Sequence, residues 1–527
     1  MKYKSLVTFF LFTTALAGGI YFSGLNVTGT HFVFFPGDLI DGRFNNYILE
    51  HGYQYLIGRV PEYWNAPFMF PEKEVVSYSD NLLGTVPLYA LFRAFGAAPA
   101  TAFQFWYLLV LALNYTCAFL FLRKLLKNNA AAVCGAMIFA FSMALQSQMG
   151  HAQTYPRFAT PLAFLGLICF FDSRKPWHFF MALLAMVYQL YCGIYLGLLS
   201  AIPFALALLH SAVYNWNEYK AQCRQKKWLV RMVAFTITAL LLLLPLMIPY
   251  LKRAGQTGFY PYETISGSIP TFKSYFFSWK GSLLWDSFSE TCIKYPAFWD
   301  HEIFTGGFAT LGLLALLVSG IPALFSKQFS SWFSLPHLRM FVFAGFITFF
   351  LFLRFGDFSL YRAVHILPGY GSMRALQRIV NIELLFFAGI VAWVISNLFK
   401  DGKLLSYMAC LVLVVMILFD NHVPSDFIHR REKVMSQQRI DALIEKMKDI
   451  PKDAVVSYEP DTLESAPMDY QLDAMLAAQT LGLKTLNGYS ATSPDGYNTY
   501  WVNPGPESRN IWLETKKMTG MKVAVVH

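Results

Sequence analysis

Apolar segments of about 20 residues recur along most of this chain, from the N-terminus to residue 420. A helix needs about 20 consecutive apolar residues to cross ~30 Å of hydrocarbon, so such segments are long enough to span a bilayer. Hydrophobic residues make up 56% of the chain and charged residues 14%, and the mean hydropathy is +0.41. This composition lies outside the soluble range and predicts an α-helical polytopic membrane protein.

The apolar segments predict eleven membrane spans. They lie near residues 6–22, 101–122, 130–149, 156–172, 177–192, 194–214, 229–250, 305–325, 338–354, 379–398 and 404–420. The first segment resembles a cleavable secretory signal, because Lys2 and Lys4 precede it and Ala15-Leu16-Ala17 lies within it. We interpret it as a retained span, because its apolar run continues through Phe22 and is long enough to cross.

Basic residues concentrate in short loops between alternate spans. The loops assigned to the cytoplasm contain Arg123, Lys124 and Lys127; Arg174 and Lys175; Lys220, Arg224, Lys226 and Lys227; Lys327; and Lys400 and Lys403. This pattern follows the positive-inside rule and places the C-terminus outside. It also explains the net charge of +10 as a topology signal, so we expect no nucleic-acid partner. Residues 82–95 are apolar but short and carry Arg93, which predicts a helix lying in the membrane interface.

The first outer loop, residues 23–100, contains the most polar stretch of the N-terminal half. Residues 36–51 include Asp38 and Asp41, with Arg43 close by. If the segment is helical, the two carboxylates lie one turn apart on a shared face. Capping accounts for one of them, because Asp favours the first position of a helix. For the two acids together, the pattern predicts a catalytic or binding role.

Three further polar residues share this outer location. Asp80 precedes the interfacial helix, so capping is its simpler explanation. His151 and Gln153 lie in a short polar turn at the end of a span. That turn faces the same compartment as Asp41, and this favours a role for His151 and Gln153 in a site. Asp80 is kept as a further candidate.

Later outer loops add one acid and several arginines. Glu302 follows a histidine as in the zinc motif HExxH, but Thr305 stands where the second histidine is required. We therefore expect no zinc there and keep Glu302 as a candidate acid. Arginines such as Arg374 and Arg378 commonly reach toward lipid headgroups, yet several around one loop are also suited to clamp a phosphate. In a helix Arg374 and Arg378 would share a face.

Beyond residue 420 the composition becomes that of a soluble domain. Residues 434–450 and 471–481 have helical periodicity, and residues 454–458 and 522–526 are typical of strands. The triplet Asn487-Gly488-Tyr489 indicates a turn first and an acceptor contact second. The chain is therefore predicted to divide into a membrane domain, residues 1–420, and a small outer α/β domain, residues 421–527.

The arrangement resembles the GT-C class of integral membrane glycosyltransferases, best over residues 1–172. The likeness comprises a first span, an acidic motif opening a long outer loop (Gly37-Asp38-Leu39-Ile40-Asp41-Gly42-Arg43), an interfacial helix, a span ending in Arg123-Lys124 and a polar outer turn. It is similar to the bacterial branch related to lipid-linked aminoarabinose transferases and protein O-mannosyltransferases, and weaker similarity continues in residues 302–307 and 368–378. The WWDYG-type motif of oligosaccharyltransferases is absent, so the resemblance does not imply transfer to asparagine.

The resemblance implies transfer of a sugar from a polyprenyl phosphate to an envelope acceptor, on the non-cytoplasmic side of a bacterial inner membrane. It implies that Asp41 is the catalytic base, with Asp38 as its partner. Such chemistry also needs positively charged side chains that stabilise the departing phosphate, and Arg43, Arg374 or Arg378 would supply them. No cofactor is required, although Asp38, Asp41 and Asp80 carry the oxygen ligands that a divalent metal takes.

Two other functions stay open at this point. One is a transporter or flippase of a lipid-linked glycan or solute, although transporters usually keep ionisable groups near the middle of the membrane rather than at one face. The other is a non-catalytic envelope assembly protein whose C-terminal segment binds a partner.

Overall fold

The computed structural model describes residues 2–148, 150–290, 298–325, 333, 335–400, 402–428, 430–461 and 466–527. Helices dominate this part of the chain. In chain order, those used below are α1 (Lys2–Gly19), α2 (Asp41–Leu56), α3 (Val86–Ala94), α4 (Pro99–Leu126), α5 (Asn129–Phe141), α6 (Ala159–Ser173), α7 (Pro176–Cys192), α8 (Ile194–Tyr214), α9 (Lys226–Thr257), α10 (Gly307–Leu324), α11 (Leu338–Leu351), α12 (Val380–Leu398), α13 (Leu404–Asp420), α14 (Lys433–Met447), α15 (Pro467–Leu481) and α16 (Pro506–Thr515).

The membrane bundle consists of α1 and of α4 to α13, and these helices coincide with the predicted spans. Within the described residues, seven helical stretches are long and apolar enough to cross a membrane, and α5, α11 and α13 are shorter apolar helices. The chain is thus an integral membrane protein of mostly helical fold, while the count of eleven spans stays a prediction. Lys327, one of the expected loop cations, lies outside the described residues.

Burial separates the inner helices of the bundle from the outer ones. Side chains from Ala130 to Phe141 of α5 are all buried, and the helix begins where the Asn128 side chain accepts a hydrogen bond from the Ala131 amide at 3.1 Å. In contrast, α9 leaves Leu240 and Ile248 more than half exposed. Exposed leucine and isoleucine on a long apolar helix are expected to face lipid, so α9 lies at the periphery of the bundle.

Helix α3 corresponds to the predicted interfacial helix. It has nine residues, which at 1.5 Å per residue is about 13 Å and well short of the ~30 Å hydrocarbon core. Pro87 occupies its first turn, where a missing amide costs nothing, and Gly96 with a φ of 86° follows its end. A helix this short is not long enough to span, and the placement of residues 23–100 on one side stays a prediction.

The C-terminal segment contains α14, α15, α16 and a small sheet. Strands β1 (Phe34–Phe35) and β2 (Arg431–Glu432) pair antiparallel, and a parallel sheet has the order β4 (Lys484–Thr485), β3 (Val455–Tyr458), β5 (Val523–Val526). Helices and strands lie within a few residues of where the pattern predicts them. The parallel pairs are connected through helices, as parallel strands require.

This segment packs directly on the first loop. The Phe70 amide donates to the Thr485 carbonyl at 3.0 Å, the Thr485 amide donates to the Pro67 carbonyl at 3.0 Å, and the Trp512 indole donates to the Phe70 carbonyl at 2.8 Å. Phe68 and Leu486 belong to the hydrophobic core that continues into the bundle. The segment and the loop therefore form one packed body, and the division at residue 420 stays a prediction.

Candidate functional site

A cavity of about 830 Å³ lies where the first loop, the ends of α8 and α9, residues 369–378 and the C-terminal segment meet. Its polar wall comprises Asp41, Asp80, His151, Gln153, Arg253, Arg374, Arg378 and Tyr489; its apolar wall includes Ile194, Leu198, Met247, Leu251 and Phe259. Six of the predicted site residues thus share one cavity. A mostly apolar cavity with a few convergent polar groups is the usual form of a small-molecule site.

Asp41 is the first residue of α2, and both of its carboxylate oxygens are held. Oδ2 lies 2.8 Å from Nδ1 of His151, and Oδ1 accepts a hydrogen bond from the Tyr489 hydroxyl at 2.6 Å. The helix begins at Asp41, where the partial positive charge of the helix N-terminus favours an anion. The side chain keeps 26% exposure, so it is reachable from the cavity.

The electrostatic surroundings keep Asp41 ionised. Burial raises the pKa of its carboxyl group, but the contact with His151, the hydrogen bond from Tyr489 and the charge of Arg378 outweigh burial and leave the pKa below its ordinary value. Burial and the neighbouring Asp41 charge raise the pKa of the Tyr489 hydroxyl, so it acts as a donor. At neutral pH Asp41 is therefore an anion that can accept a proton.

Asp38 lies in the turn before α2 rather than in the helix. Its Oδ1 accepts hydrogen bonds from the amides of Ile40 at 3.1 Å and Gly42 at 2.9 Å, so it caps the start of the helix. Burial raises the pKa of Asp38, although the Gly42 hydrogen bond opposes the shift. The shared helix face expected for Asp38 and Asp41 is wrong, because α2 starts only at Asp41.

Asp80 and Gln153 support the walls of the cavity. Asp80 Oδ1 accepts from the Tyr195 amide at 3.1 Å and so caps α8, not the interfacial helix that follows it in sequence. Burial raises the pKa of Asp80, while its bond to the Tyr195 amide and the charge of Arg378 lower it. Gln153 Oε1 accepts from Asn45 at 2.9 Å, and Asn45 also donates to the Asp41 carbonyl at 2.6 Å.

Arg374 and Arg378 line the cavity together with Arg253, which pairs with Glu72 at 3.5 Å. Arg374 donates to the Ala491 carbonyl at 2.9 Å, and the Arg378 guanidinium lies 5.0 Å above the Tyr195 ring. Among the described residues, neither guanidinium has a carboxylate within 4.0 Å. They are not on one regular helix, since the 3₁₀ turn begins only at Leu376. Within the described residues no carboxylate therefore neutralises either cation, and both line the cavity.

Arg43 does not lie in this cavity, although the sequence suggested a phosphate contact. Its side chain is 2% exposed and forms ion pairs with Asp473 and, at 3.6 Å, with Asp469, while Nη1 donates to Ser436 at 3.1 Å. Arg43 is two residues from Asp41, which turns it to the opposite side of α2. It joins the first loop to the C-terminal segment.

Replacing Arg43 by alanine is expected to destabilise the protein. The change leaves Asp473 buried with only Arg439, 2.8 Å away, as its charged partner. Breaking a buried pair by removing one partner costs about 3–5 kcal/mol, and Arg439 brings the expected loss to about 3 kcal/mol. Thermal unfolding in detergent measures it. An Arg43→Met, Asp473→Leu double variant should recover most of the loss, and equal stability of Arg43→Ala and the wild type would contradict the role.

Glu302 is also outside the cavity lining. Burial raises the pKa of its carboxyl group to about 7, but its position does not place it against Asp41 or the arginines. The acid of this segment with electrostatic contact to the site is Asp300, which accepts from Gln377 at 2.6 Å. Burial raises the pKa of Asp300, and the charges of Arg378, His151 and Arg374 lower it.

Two site residues were not among the predicted ones: Arg253, and Tyr489, whose triplet was interpreted as a turn first and an acceptor contact second. Tyr489 comes from a stretch that reads as a turn, and its only signal is a hydroxyl-bearing aromatic beside Asn487 and Gly488. Arg253 is 8% exposed at the end of α9 and stacks 3.4 Å above the Tyr78 ring. Basic residues near the end of an apolar helix, here Lys252 and Arg253, ordinarily reach toward lipid headgroups, so the contact of Arg253 could not be anticipated.

The acids do not form a metal site of their own. Among the described residues, no three His, Cys, Asp or Glu side chains are grouped so that they could hold a metal ion. Both oxygens of Asp41 have protein partners, and Asp38 and Asp80 each commit one oxygen to a helix cap. The donors therefore do not fit a metal held by protein side chains alone.

No protein-family model matches the sequence, and no curated protein matches it significantly. Solved structures do match. The oligosaccharyltransferase of Archaeoglobus fulgidus in its apo form gives a TM-score of 0.52 at 12% identity, over 96% of this chain and 68% of that one. The same enzyme, AglB, in complex with an inhibitory peptide and a dolichol-phosphate gives 0.51 at 12% identity, over 98% and 69%.

Two other membrane glycosyltransferases give lower scores. The arabinofuranosyltransferase AftD from Mycobacteria gives a TM-score of 0.49 at 14% identity, over 88% of this chain but only 30% of that one. ArnT from Cupriavidus metallidurans bound to undecaprenyl phosphate gives 0.36 at 10% identity, over 98% and 89%. At such identities the likeness is one of fold alone. It rests on the archaeal enzyme, whose TM-scores are 0.52 and 0.51.

Proposed function

We propose that this chain, which has the fold of the GT-C glycosyltransferases, transfers a sugar from a polyprenyl phosphate to an envelope acceptor, with Asp41 as the general base. The acceptor is a lipid, glycan or protein hydroxyl. In this proposal the cavity opens on the non-cytoplasmic side of a bacterial inner membrane, an orientation that the loop charges support.

The proposal rests on one observation: a single cavity is lined by a carboxylate, by guanidinium groups and by apolar side chains. An ionised carboxylate, Asp41, is held by His151 and Tyr489, and two guanidinium groups, Arg374 and Arg378, which have no ion pair within the described residues, line the same space. Apolar side chains complete the lining. A donor with a sugar, a phosphate and an isoprenoid tail needs these three surfaces.

The reaction assigns one role to each surface. The acceptor oxygen attacks the anomeric carbon as the bond from that carbon to the phosphate oxygen breaks, and the phosphate leaves with the electron pair. Asp41 takes the proton of the acceptor hydroxyl. Arg374 and Arg378 stabilise the charge that grows on the phosphate, which is the function of fixed cations in a site with little water.

The apolar wall supports a lipid rather than a soluble donor. Leu251 and Phe259 are both 52% exposed although they line the cavity, and Leu251 belongs to the peripheral helix α9. An isoprenoid chain on these side chains would remain in the bilayer while its phosphate reaches the arginines. The complex of the archaeal enzyme with a dolichol-phosphate supports this donor class for the fold.

The direct test is donor consumption by the purified full chain in detergent. With a polyprenyl phosphate labelled in the sugar, we expect label to move to the acceptor fraction, or slowly to water. If the sugar stays on the lipid but the labelled lipid crosses the membrane of reconstituted vesicles, the chain is a flippase. If the donor is neither consumed nor transported, the result favours the non-catalytic assembly role.

Replacing Tyr489 by phenylalanine is expected to leave the Asp41 carboxylate poorly positioned without unfolding the chain. A hydrogen bond to a charged group contributes about 1.5–3 kcal/mol, so transfer should fall by about 10- to 100-fold. The lost bond also lets the pKa of Asp41 rise. Because the base acts only when ionised, activity is lost as pH falls through that pKa, and the acid limb of the pH profile should move to higher pH. An unchanged acid limb would contradict the contact with Asp41.

A further inference from the structure

A second cavity, of about 380 Å³, lies on the opposite side of α2 from the candidate site. It is enclosed by α2, α3, the start of α4, and the C-terminal helices α14 and α15. Asp41 and Asn45 line the first cavity, whereas Arg43, Asn46 and Glu50 line the second. The two spaces are therefore separated by one helix and have different walls.

The second cavity carries an excess of positive charge. Four cations and two carboxylates line it. Arg93 pairs with Glu50 at 2.7 Å, and Arg43 pairs with Asp473. In the part of the chain that the structure describes, Arg59 and Lys433 have no carboxylate within 4.0 Å, and Lys433 donates instead to Thr101 and Gln104 at 3.2 Å. The second lining carboxylate, Asp441, is exposed and accepts from Gln437.

A buried acceptor in the same wall lacks a partner. Asn46 is 6% exposed and lines the cavity, and its Oδ1 has no hydrogen bond within the described residues. A buried polar atom without a partner costs about 1–3 kcal/mol, so such atoms are rare. A hydroxyl group on a ligand in the cavity would supply the missing donor.

Exposed apolar side chains lie close along the chain to the lining residues Gln54, Arg59 and Arg93. Leu56 and Ile57, near the end of α2, are 52% and 45% exposed, and Leu91 and Phe95, on either side of Arg93, are 48% and 84% exposed. Pro99 and Ala100, at the start of the membrane helix α4, line the cavity itself. One wall of the cavity is therefore the start of a helix long and apolar enough to cross a membrane.

We propose that this second cavity binds the headgroup of an anionic lipid that carries hydroxyl groups. The phosphate lies between Arg59 and Lys433, a headgroup hydroxyl donates to Asn46 Oδ1, and the acyl chains run along the apolar helix α4, whose first residues line the cavity. Basic pockets at the membrane surface bind anionic headgroups in this way. The bound lipid holds α14 of the C-terminal segment against the first loop. This site is independent of the proposed transfer reaction.

Native mass spectrometry of the full chain with added lipids tests the assignment. The probes are phosphatidylglycerol, phosphatidylethanol, which has the same charge but no headgroup hydroxyl, and zwitterionic phosphatidylcholine. We expect phosphatidylglycerol to bind best, by about tenfold over phosphatidylethanol through the Asn46 hydrogen bond. Equal binding of phosphatidylglycerol and phosphatidylcholine would overturn the proposal.

Variants separate the two contacts. The double variant Arg59→Gln, Lys433→Gln should weaken the binding of phosphatidylglycerol by roughly 30-fold. The control is Lys400→Gln, Lys403→Gln, which makes the same charge change in the loop between α12 and α13 and should leave this binding unchanged. Asn46→Leu should remove the preference over phosphatidylethanol without lowering the melting temperature, since it deletes an unpartnered group. Wild-type lipid binding by either the double cation variant or Asn46→Leu would show that the cavity is not the binding site.

Discussion

Asp41→Asn is expected to lower sugar transfer by about 10²- to 10⁴-fold, the range that a positioned general base contributes. Asparagine keeps the size of the side chain and an oxygen that accepts from Tyr489, but it cannot take the acceptor proton. The variant should therefore insert and accumulate like the wild type. The measurement is transfer of labelled sugar by purified protein at matched amounts.

Asp38→Asn is the matched control for this experiment. Asn caps helices about as well as Asp, so α2 should still begin correctly, and transfer should stay within a few fold of wild type. If Asp38→Asn abolishes transfer while Asp41→Asn retains it, the base is Asp38. Near-normal transfer by both variants would falsify a carboxylate base from this motif.

Loss of Arg378 is the second change with a large expected effect. Arg378→Gln should reduce transfer by about 10²- to 10³-fold, because it removes a fixed cation facing the departing phosphate. The same change at Arg374, which is more exposed, should cost less, since solvent screens its charge. Single-turnover measurements with labelled donor separate the effect on chemistry from an effect on donor binding.

Arg362→Gln controls for general loss of positive charge. The Arg362 side chain is 72% exposed and pairs with Glu263 at 3.6 Å, outside the cavity lining. We expect its transfer rate and donor affinity to match the wild type. If Arg378→Gln behaves like Arg362→Gln, the phosphate is held elsewhere, and Arg253 is the next cation of the cavity to change.

The helices of the bundle were predictable because their signal is local. The length of an apolar run decides whether a segment can cross a bilayer, and Pro176 and Gly96 mark element ends within the same few residues. The strands of the C-terminal segment were likewise visible as short β-branched runs, such as Val455 and Val456. Their packing against residues 67–70 was not, because it joins segments more than 400 residues apart.

The site residues likewise divide into those that local sequence identifies and those whose contacts depend on the fold. Asp41, His151 and Arg378 were recognised because a polar residue beside an apolar run is conspicuous. Arg43 was conspicuous for the same reason, yet its partners are Asp469 and Asp473, and no local pattern distinguishes an ion pair from a phosphate contact. Glu302 was selected by a partial motif, whereas its neighbour Asp300 has the contact with the site.

The sequence by itself determined that the chain is a membrane protein with an acidic motif next to its first apolar segment. Run length and charge are sums over neighbouring residues, so a linear chain displays them. Only the tertiary structure decided which side chains meet. Two residues along a helix turn a side chain through about 200°, which separates Arg43 from Asp41, and Tyr489 reaches Asp41 from 448 residues away.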